Sequence, residues 1–120
     1  MPLNGVPAVD LEEFRAAMRA SGIEEIVMPV LTLFAQEAPK GLATLTAATE
    51  ARDLDAVSRA AHSLKSSSAN IRAKELANFL QQLEIAAQGG DEALSRSLFD
   101  RVKLAYEAAM DCLAAAGVVA

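Results

Sequence analysis

The sequence predicts an all-α protein, an antiparallel up-down four-helix bundle with an additional short N-terminal helix. Hydrophobic residues form 52% of the 120-residue chain but only 4% of residues are aromatic, and helix-forming alanine and leucine are frequent. Apolar residues recur at intervals of three and four along most of the chain. The breaks between these segments are short, which favours antiparallel neighbours within one domain that spans residues 1–120.

Charge and composition exclude several kinds of function. A net charge of −5 and a pI near 4.8 argue against nucleic-acid binding, which needs clustered cations. With His62 and Cys112 as the single histidine and cysteine, we expect no metal site and no disulfide, and we expect Cys112 to be buried. No apolar run approaches the roughly 20 residues of a membrane span, and no signal sequence is recognised, so a soluble, cytoplasmic protein is expected.

The N-terminal segment predicts a loose lead-in followed by a short helix. Residues 1–9 carry two prolines and a glycine, which disfavour regular structure. Asp10 is a suitable N-cap for a helix that continues to about Ala20. Ser21 and Gly22 are expected to end that helix.

A long apolar-periodic segment follows, from Ile23 to about Ala51. Pro29 and Pro39 interrupt it, and each removes a backbone donor and disfavours helical geometry just before it. We expect a kink or a break in this segment, at Pro39, which Gly41 follows closely.

The next helix carries His62 and is expected to begin after the N-cap Asp53 and to continue to about Ile71. A buried stripe is predicted at Leu54, Val57, Ala61, Leu64, Ser68 and Ile71. At about 100° per residue, His62 lies roughly 130° from the centre of that stripe, so the imidazole should face water. Residues 73–88 and 92–115 predict two more helices, separated by the Gly-Gly-Asp run at 89–91, and residues 117–120 should fray.

The stretch around His62 resembles a known family. Residues 61–84 have the sequence AHSLKSSSANIRAKELANFLQQLE, similar to the motif of the histidine-containing phosphotransfer (HPt) domains of two-component phosphorelays. That motif is His-x-Leu-Lys-Gly-Ser-Ser, then a glycine ten residues after the histidine, then a helix that ends in Leu-Glu. The matching residues are His62, Leu64, Lys65, Ser67, Ser68, Leu76, Leu83 and Glu84. Ser66 and Arg72 stand where the family usually has glycines.

The resemblance implies a phosphorelay carrier that takes a phosphoryl group from a phospho-aspartate on one receiver domain and returns it to another. The partners would be receiver domains of response regulators or hybrid histidine kinases, with Mg²⁺ on the receiver side and no cofactor on this chain. We expect a monomer. The chain has no Gly-rich phosphate loop with the Lys and Ser/Thr of a Walker motif, so no ATP-dependent kinase activity is expected.

Three residues are expected to carry the chemistry. Near neutral pH an imidazole such as His62 has an uncharged fraction with a free ring lone pair, which suits a transient phosphoryl acceptor. Lys65, one turn away, can place an ammonium near the phosphoryl oxygens. The resemblance puts Glu84 at the position that orients the ring. A carboxylate that accepts a hydrogen bond from one ring nitrogen would leave the lone pair of the other nitrogen free.

The surface around His62 is small and polar, which leaves room for another protein. The residues expected to contact the receiver are Ser66, Ser67, Ala69 and Arg72, and the two serines also add hydroxyl donors. A left-handed arginine at position 72 would cost on the order of 1 kcal/mol. Because Ala73, Lys74 and Glu75 are good helix formers, we expect the helix end to be altered and to continue towards Lys74.

Other functions stay open at this point. A histidine-kinase dimerisation helix would follow its histidine with an acid and then a proline, whereas this chain has Ser63 and no proline between 40 and 120. A helical adaptor that docks on a receiver or kinase without phosphotransfer is the main alternative, favoured slightly by Ser66 and Arg72. A fragment of a larger chemotaxis-type kinase is another, against which the self-contained length of the chain counts.

Overall fold

The computed structural model describes residues 7–120, in which the regular structure is helical and no strand occurs. The α-helices are α1 (Leu11–Ala20), α2 (Val27–Glu50), α3 (Leu54–Asn70), α4 (Lys74–Gln88) and α5 (Glu92–Ala115), with a 3₁₀ segment at Glu24–Ile26. The predicted all-α class is confirmed. Within residues 7–120, none of the helices combines the length and the hydropathy needed to cross a bilayer.

The predicted N-caps are confirmed at the start of α1 and α3. The carboxylate of Asp10 accepts a hydrogen bond of 3.0 Å from the backbone N–H of Glu13. Asp53 accepts one of 3.1 Å from the N–H of Ala56 in the same way. Each cap satisfies a donor that the first turn of a helix would otherwise leave unpaired.

The four long helices pack around one core. Helix α3 packs against both α2 and α4, α4 packs against α5, and α5 returns to contact α2. The most completely buried side chains come from all four: Leu31, Leu45, Val57, Leu76, Leu80, Leu83, Val102 and Leu113. On α3 the predicted stripe is buried apart from Leu54, which is half-buried. Burial of this stripe fixes which side of α3 faces water.

The predicted break at Pro39 is wrong, because α2 is one uninterrupted helix from Val27 to Glu50. Pro39 is exposed, and buried residues flank it on the core side, among them Ala38 and Leu45. Their burial on both sides of the proline outweighs the roughly 3 kcal/mol that a proline costs inside a helix.

Gly41 also lies inside α2 and does not end it. A Cβ atom added at Gly41 would lie 3.3 Å from Cδ1 of Leu64 on α3, which is tighter than ordinary van der Waals contact. The glycine therefore lets α2 approach the helix that carries His62.

The predicted continuation of α3 towards Lys74 is wrong as well. Arg72 adopts a left-handed conformation with φ 66°. The N–H of Ala73 donates to the carbonyl of Ser68 over 2.9 Å, and the N–H of Arg72 donates to the carbonyl of Ala69 over 3.1 Å. This pair of bonds is the Schellman motif that usually has glycine at the left-handed position.

Burial on both sides of the turn explains why Arg72 tolerates this conformation. Ile71 and Ala73 are 1% and 0% exposed, and a helix that continued through them would move at least one of them out of the core. Helix α1 packs on the same turn: the N–H of Asp10 donates to the carbonyl of Arg72 over 2.9 Å. The guanidinium of Arg72 lies 5.6 Å from the centre of the Phe14 ring, a cation–π contact.

Two side chains near the ends of the described chain are buried: Val9 is 2% exposed and Val118 is 8% exposed. Residues 1–6 of the lead-in lie outside the described residues. Cys112, expected to be buried, is half-buried, and its Sγ atom lies 3.7 Å from the carbonyl oxygen of Val9.

Candidate functional site

The imidazole of His62 projects from α3 with 60% of its side chain exposed. Its Nδ1 atom lies 3.0 Å from Oε2 of Glu84 on α4. An ionised carboxylate can only accept a hydrogen bond, so Nδ1 carries the proton. The neutral ring therefore keeps its lone pair on Nε2, the atom that can act as a nucleophile.

The carboxylate of Glu84 is shared between two partners. Its Oε1 atom accepts a hydrogen bond of 2.9 Å from Nζ of Lys65, while Oε2 faces His62. The hydrogen bond from Lys65 holds the pKa of Glu84 below its usual value against the opposing effect of burial, with smaller contributions from the charges of Lys65 and His62. Glu84 is therefore ionised at neutral pH.

The ammonium of Lys65 is held in place rather than extended into water. Besides Glu84, it donates a hydrogen bond of 2.7 Å to Oε1 of Gln81, and its side chain is only 21% exposed. The sequence placed Lys65 beside the expected phosphoryl group. In the structure, Lys65 lies one turn from His62, but its ammonium donates its hydrogen bonds to side chains of α4.

Gln81 was missed by the reasoning from sequence, although the register of the two helices could have found it. His62 pairs with Glu84, and Lys65, three residues later on α3, pairs with Gln81, three residues earlier on α4. Residue numbers rise along one helix as they fall along the other, so α3 and α4 run antiparallel. Once Glu84 is placed opposite His62, a polar residue at position 81 falls opposite Lys65.

The serines beside His62 use their hydroxyl protons within α3. Ser66 Oγ donates to the carbonyl of His62 over 3.2 Å, and Ser67 Oγ donates to that of Ser63 over 3.4 Å. Such bonds to the preceding turn are common for serine in helices. Helix α3 continues without interruption through Ser66, the serine that stands in place of the family's first glycine.

The residues predicted to contact a partner lie on both sides of the exposed ridge of α3. Ser66, Ala69 and Arg72 line a groove between α3 and α4 that Lys65 and Lys74 also line. Ser67 lines a second groove between α2 and α3, together with apolar residues such as Leu33, which is 58% exposed. The lining of the first groove also includes Glu13, whose carboxylate pairs with Lys74 over 2.6 Å.

The site thus combines an exposed histidine on a helical bundle with a carboxylate that also accepts a hydrogen bond from a lysine. In the comparison with protein families, the family model described as Hpt domain matches residues 29–112, from within α2 to within α5. The chain belongs to the Hpt domain family, the histidine phosphotransfer carriers of two-component signalling. Comparisons with curated proteins and with solved structures gave no match.

Proposed function

We propose that this protein is a phosphorelay carrier that accepts a phosphoryl group on Nε2 of His62 and passes it on. The donor is the phospho-aspartate of a receiver domain, and the acceptor is the aspartate of another receiver. The observation that supports this most is the 3.0 Å contact between Nδ1 of His62 and Glu84, which leaves Nε2 unprotonated on an exposed side chain.

The transfer step uses charges that are already in place. As the Nε2–P bond forms, the bond between phosphorus and the aspartyl oxygen breaks, and the aspartate leaves as a carboxylate. The ring becomes cationic, and the carboxylate of Glu84 beside Nδ1–H stabilises that charge. Lys65 lies one turn along α3 from His62, where its positive charge can attract the phosphoryl oxygens, and it also donates a hydrogen bond to Glu84.

The receiver would dock over the exposed ridge of α3. Ser66, Ser67 and Ala69 are small and exposed, so they permit close approach to His62. Arg72 lies at the end of that ridge, beside the groove between α3 and α4. The proposal includes a monomer that meets its receivers in the cytoplasm.

Transfer from phosphorylated receivers tests the proposal. The protein is incubated with receiver domains of the same genome that carry radiolabelled phosphate, and label that is stable in base and lost in acid is sought on it. Wild-type protein should acquire such label, and His62→Gln should not, with an unchanged helical circular dichroism signal because the side chain is exposed. Receivers that bind without passing label would instead support the adaptor function.

A further inference from the structure

We infer that Gln81 is a positioning residue for phosphotransfer, which acts on the ring of His62 through Lys65 and Glu84. The inference rests on the proposed function of His62. Because 60% of the His62 side chain is exposed, packing does little to fix the ring, and its orientation depends on the contact with Glu84.

Three contacts in series connect Gln81 to the reacting ring. Gln81 Oε1 lies 2.7 Å from Lys65 Nζ, Lys65 Nζ lies 2.9 Å from Glu84 Oε1, and Glu84 Oε2 lies 3.0 Å from His62 Nδ1. The ammonium is thus bonded to two acceptors on successive turns of α4. With Oε1 of Glu84 fixed by this ammonium, Oε2 is directed at Nδ1.

An uncharged acceptor suits position 81. The amide oxygen of Gln81 accepts one N–H of Lys65 without competing as a second negative charge, so the charge of the ammonium is balanced by Glu84. A carboxylate at position 81 would divide that charge between two acids and would bring another negative group towards the phosphoryl oxygens.

Loss of the acceptor at position 81 should weaken each of the contacts between Lys65, Glu84 and His62. Lysine has a long, flexible side chain, and without Gln81 part of the Lys65 population would turn towards water. Glu84 would then hold Nδ1–H less well, and a larger fraction of neutral His62 would carry its proton on Nε2, where it cannot attack phosphorus.

Gln81→Met and Gln82→Met make a matched pair for the test. Both replace an exposed glutamine of α4 by a helix-forming residue of similar size, but Gln82 lies outside the series. The phosphoryl donor is phosphoramidate, a small molecule that needs no protein docking. Nitrogen NMR reports which ring nitrogen carries the proton, and His62 is the single histidine of the chain.

Gln81→Met should label roughly three- to tenfold more slowly than wild type, the range expected for one lost hydrogen bond, and should show less of the Nδ1–H tautomer. Gln82→Met should match wild type in both measurements. A Gln81→Met protein with the wild-type tautomer ratio overturns the inference whatever its rate, and so does an equal change in Gln82→Met. Wild-type protein that takes no label from phosphoramidate or receivers rejects the proposed function, while the tautomer comparison still decides the role of Gln81.

Discussion

At the scale of single residues, the chemistry of this site depends on one carboxylate with two partners. Glu84 accepts from Lys65 with one oxygen and faces Nδ1 of His62 with the other. Because its pKa is lowered, it remains an acceptor at neutral pH, and a pure acceptor selects the Nδ1–H tautomer. In the proposed mechanism, Glu84 thus leaves Nε2 of His62 as the nitrogen that can attack phosphorus, without reacting itself.

Glu84→Gln should reverse the tautomer of His62. An ammonium can only donate, so the amide oxygen of the new side chain would face Lys65 and its NH₂ group would face Nδ1, which must then accept. The proton would move to Nε2, and labelling by phosphoramidate should fall by at least about tenfold. Nitrogen NMR at neutral pH measures the tautomer directly.

Glu75→Gln is the control for this change, since it makes the same replacement on α4 outside the contacts of His62. It should leave the tautomer and the labelling rate unchanged. A Glu84→Gln protein that keeps the Nδ1–H form would contradict the role given to Glu84.

The lowered pKa of Glu84 also predicts how stability depends on pH. The folded-state pKa lies below the unfolded value of about 4.3, so the unfolded state binds the proton more tightly. The resulting stability is fully present above the unfolded pKa and is lost as pH falls through the folded pKa. The excess free energy of unfolding of wild type over Glu84→Gln should therefore shrink between about pH 5 and pH 3.

Urea unfolding of both proteins across that pH range measures this difference. Other acids titrate equally in the two proteins, so the comparison isolates Glu84. If the difference in the free energy of unfolding between wild type and Glu84→Gln stayed constant with pH, the ionised form of Glu84 would not be stabilised by Lys65 and His62.

At the scale of the helices, two arginines occupy positions where glycine is usual. Arg52 ends α2 with φ 57° and Arg72 ends α3 with φ 66°. Arg52→Gly should raise the free energy of unfolding by up to about 1 kcal/mol, since its ion pair with Glu92 is on the surface and contributes little. Arg72→Gly should raise it less, because the contact with Phe14 is lost with the guanidinium.

Thermal and urea unfolding of the two variants side by side test this prediction. Gly90→Ala, at a turn with φ 75°, is the reciprocal control and should destabilise the protein. An Arg52→Gly protein less stable than wild type would show that the left-handed arginines are not strained.

The proline inside α2 offers a second test at this scale. Pro39→Ala should raise the free energy of unfolding by about 1 to 3 kcal/mol, because alanine restores a backbone donor and removes the clash of the ring with the preceding turn. Pro29→Ala should change it little, since Pro29 lies in the first turn, where N–H groups have no partner within the helix. Equal effects of the two changes in chemical denaturation would contradict this account of α2.

At the scale of the whole molecule, the sequence predicts those features of the fold that depend on the local pattern of residues along the chain. The helices, the caps Asp10 and Asp53 and the exposure of His62 follow from spacing along the chain. The continuity of α2 through Pro39 and the left-handed turn at Arg72 do not, because each is decided by the free energy of packing against other helices.

The candidate site, like the fold, could be predicted only in part from the sequence. His62, Lys65 and Glu84 are recognised from the spacing of a family motif, whereas the hydrogen bonds that connect Lys65 to Glu84 and Gln81 depend on the register of α3 against α4. That register depends on how both helices pack in the core, where Leu64 of α3 and Leu83 of α4 are buried. Reasoning from sequence therefore named His62, Lys65 and Glu84 as candidates and missed the hydrogen bond that Lys65 donates to Gln81.

The most direct test of the central claim is to locate the phosphoryl group after transfer. The protein is labelled by a phosphorylated receiver domain and examined by phosphorus and nitrogen NMR, with His62→Gln as the unlabelled control. We predict one phosphoryl group, bonded to Nε2 of His62, while Nδ1 keeps its proton beside Glu84. A phosphoryl group on Nδ1, or on any other residue of the chain, would contradict the account.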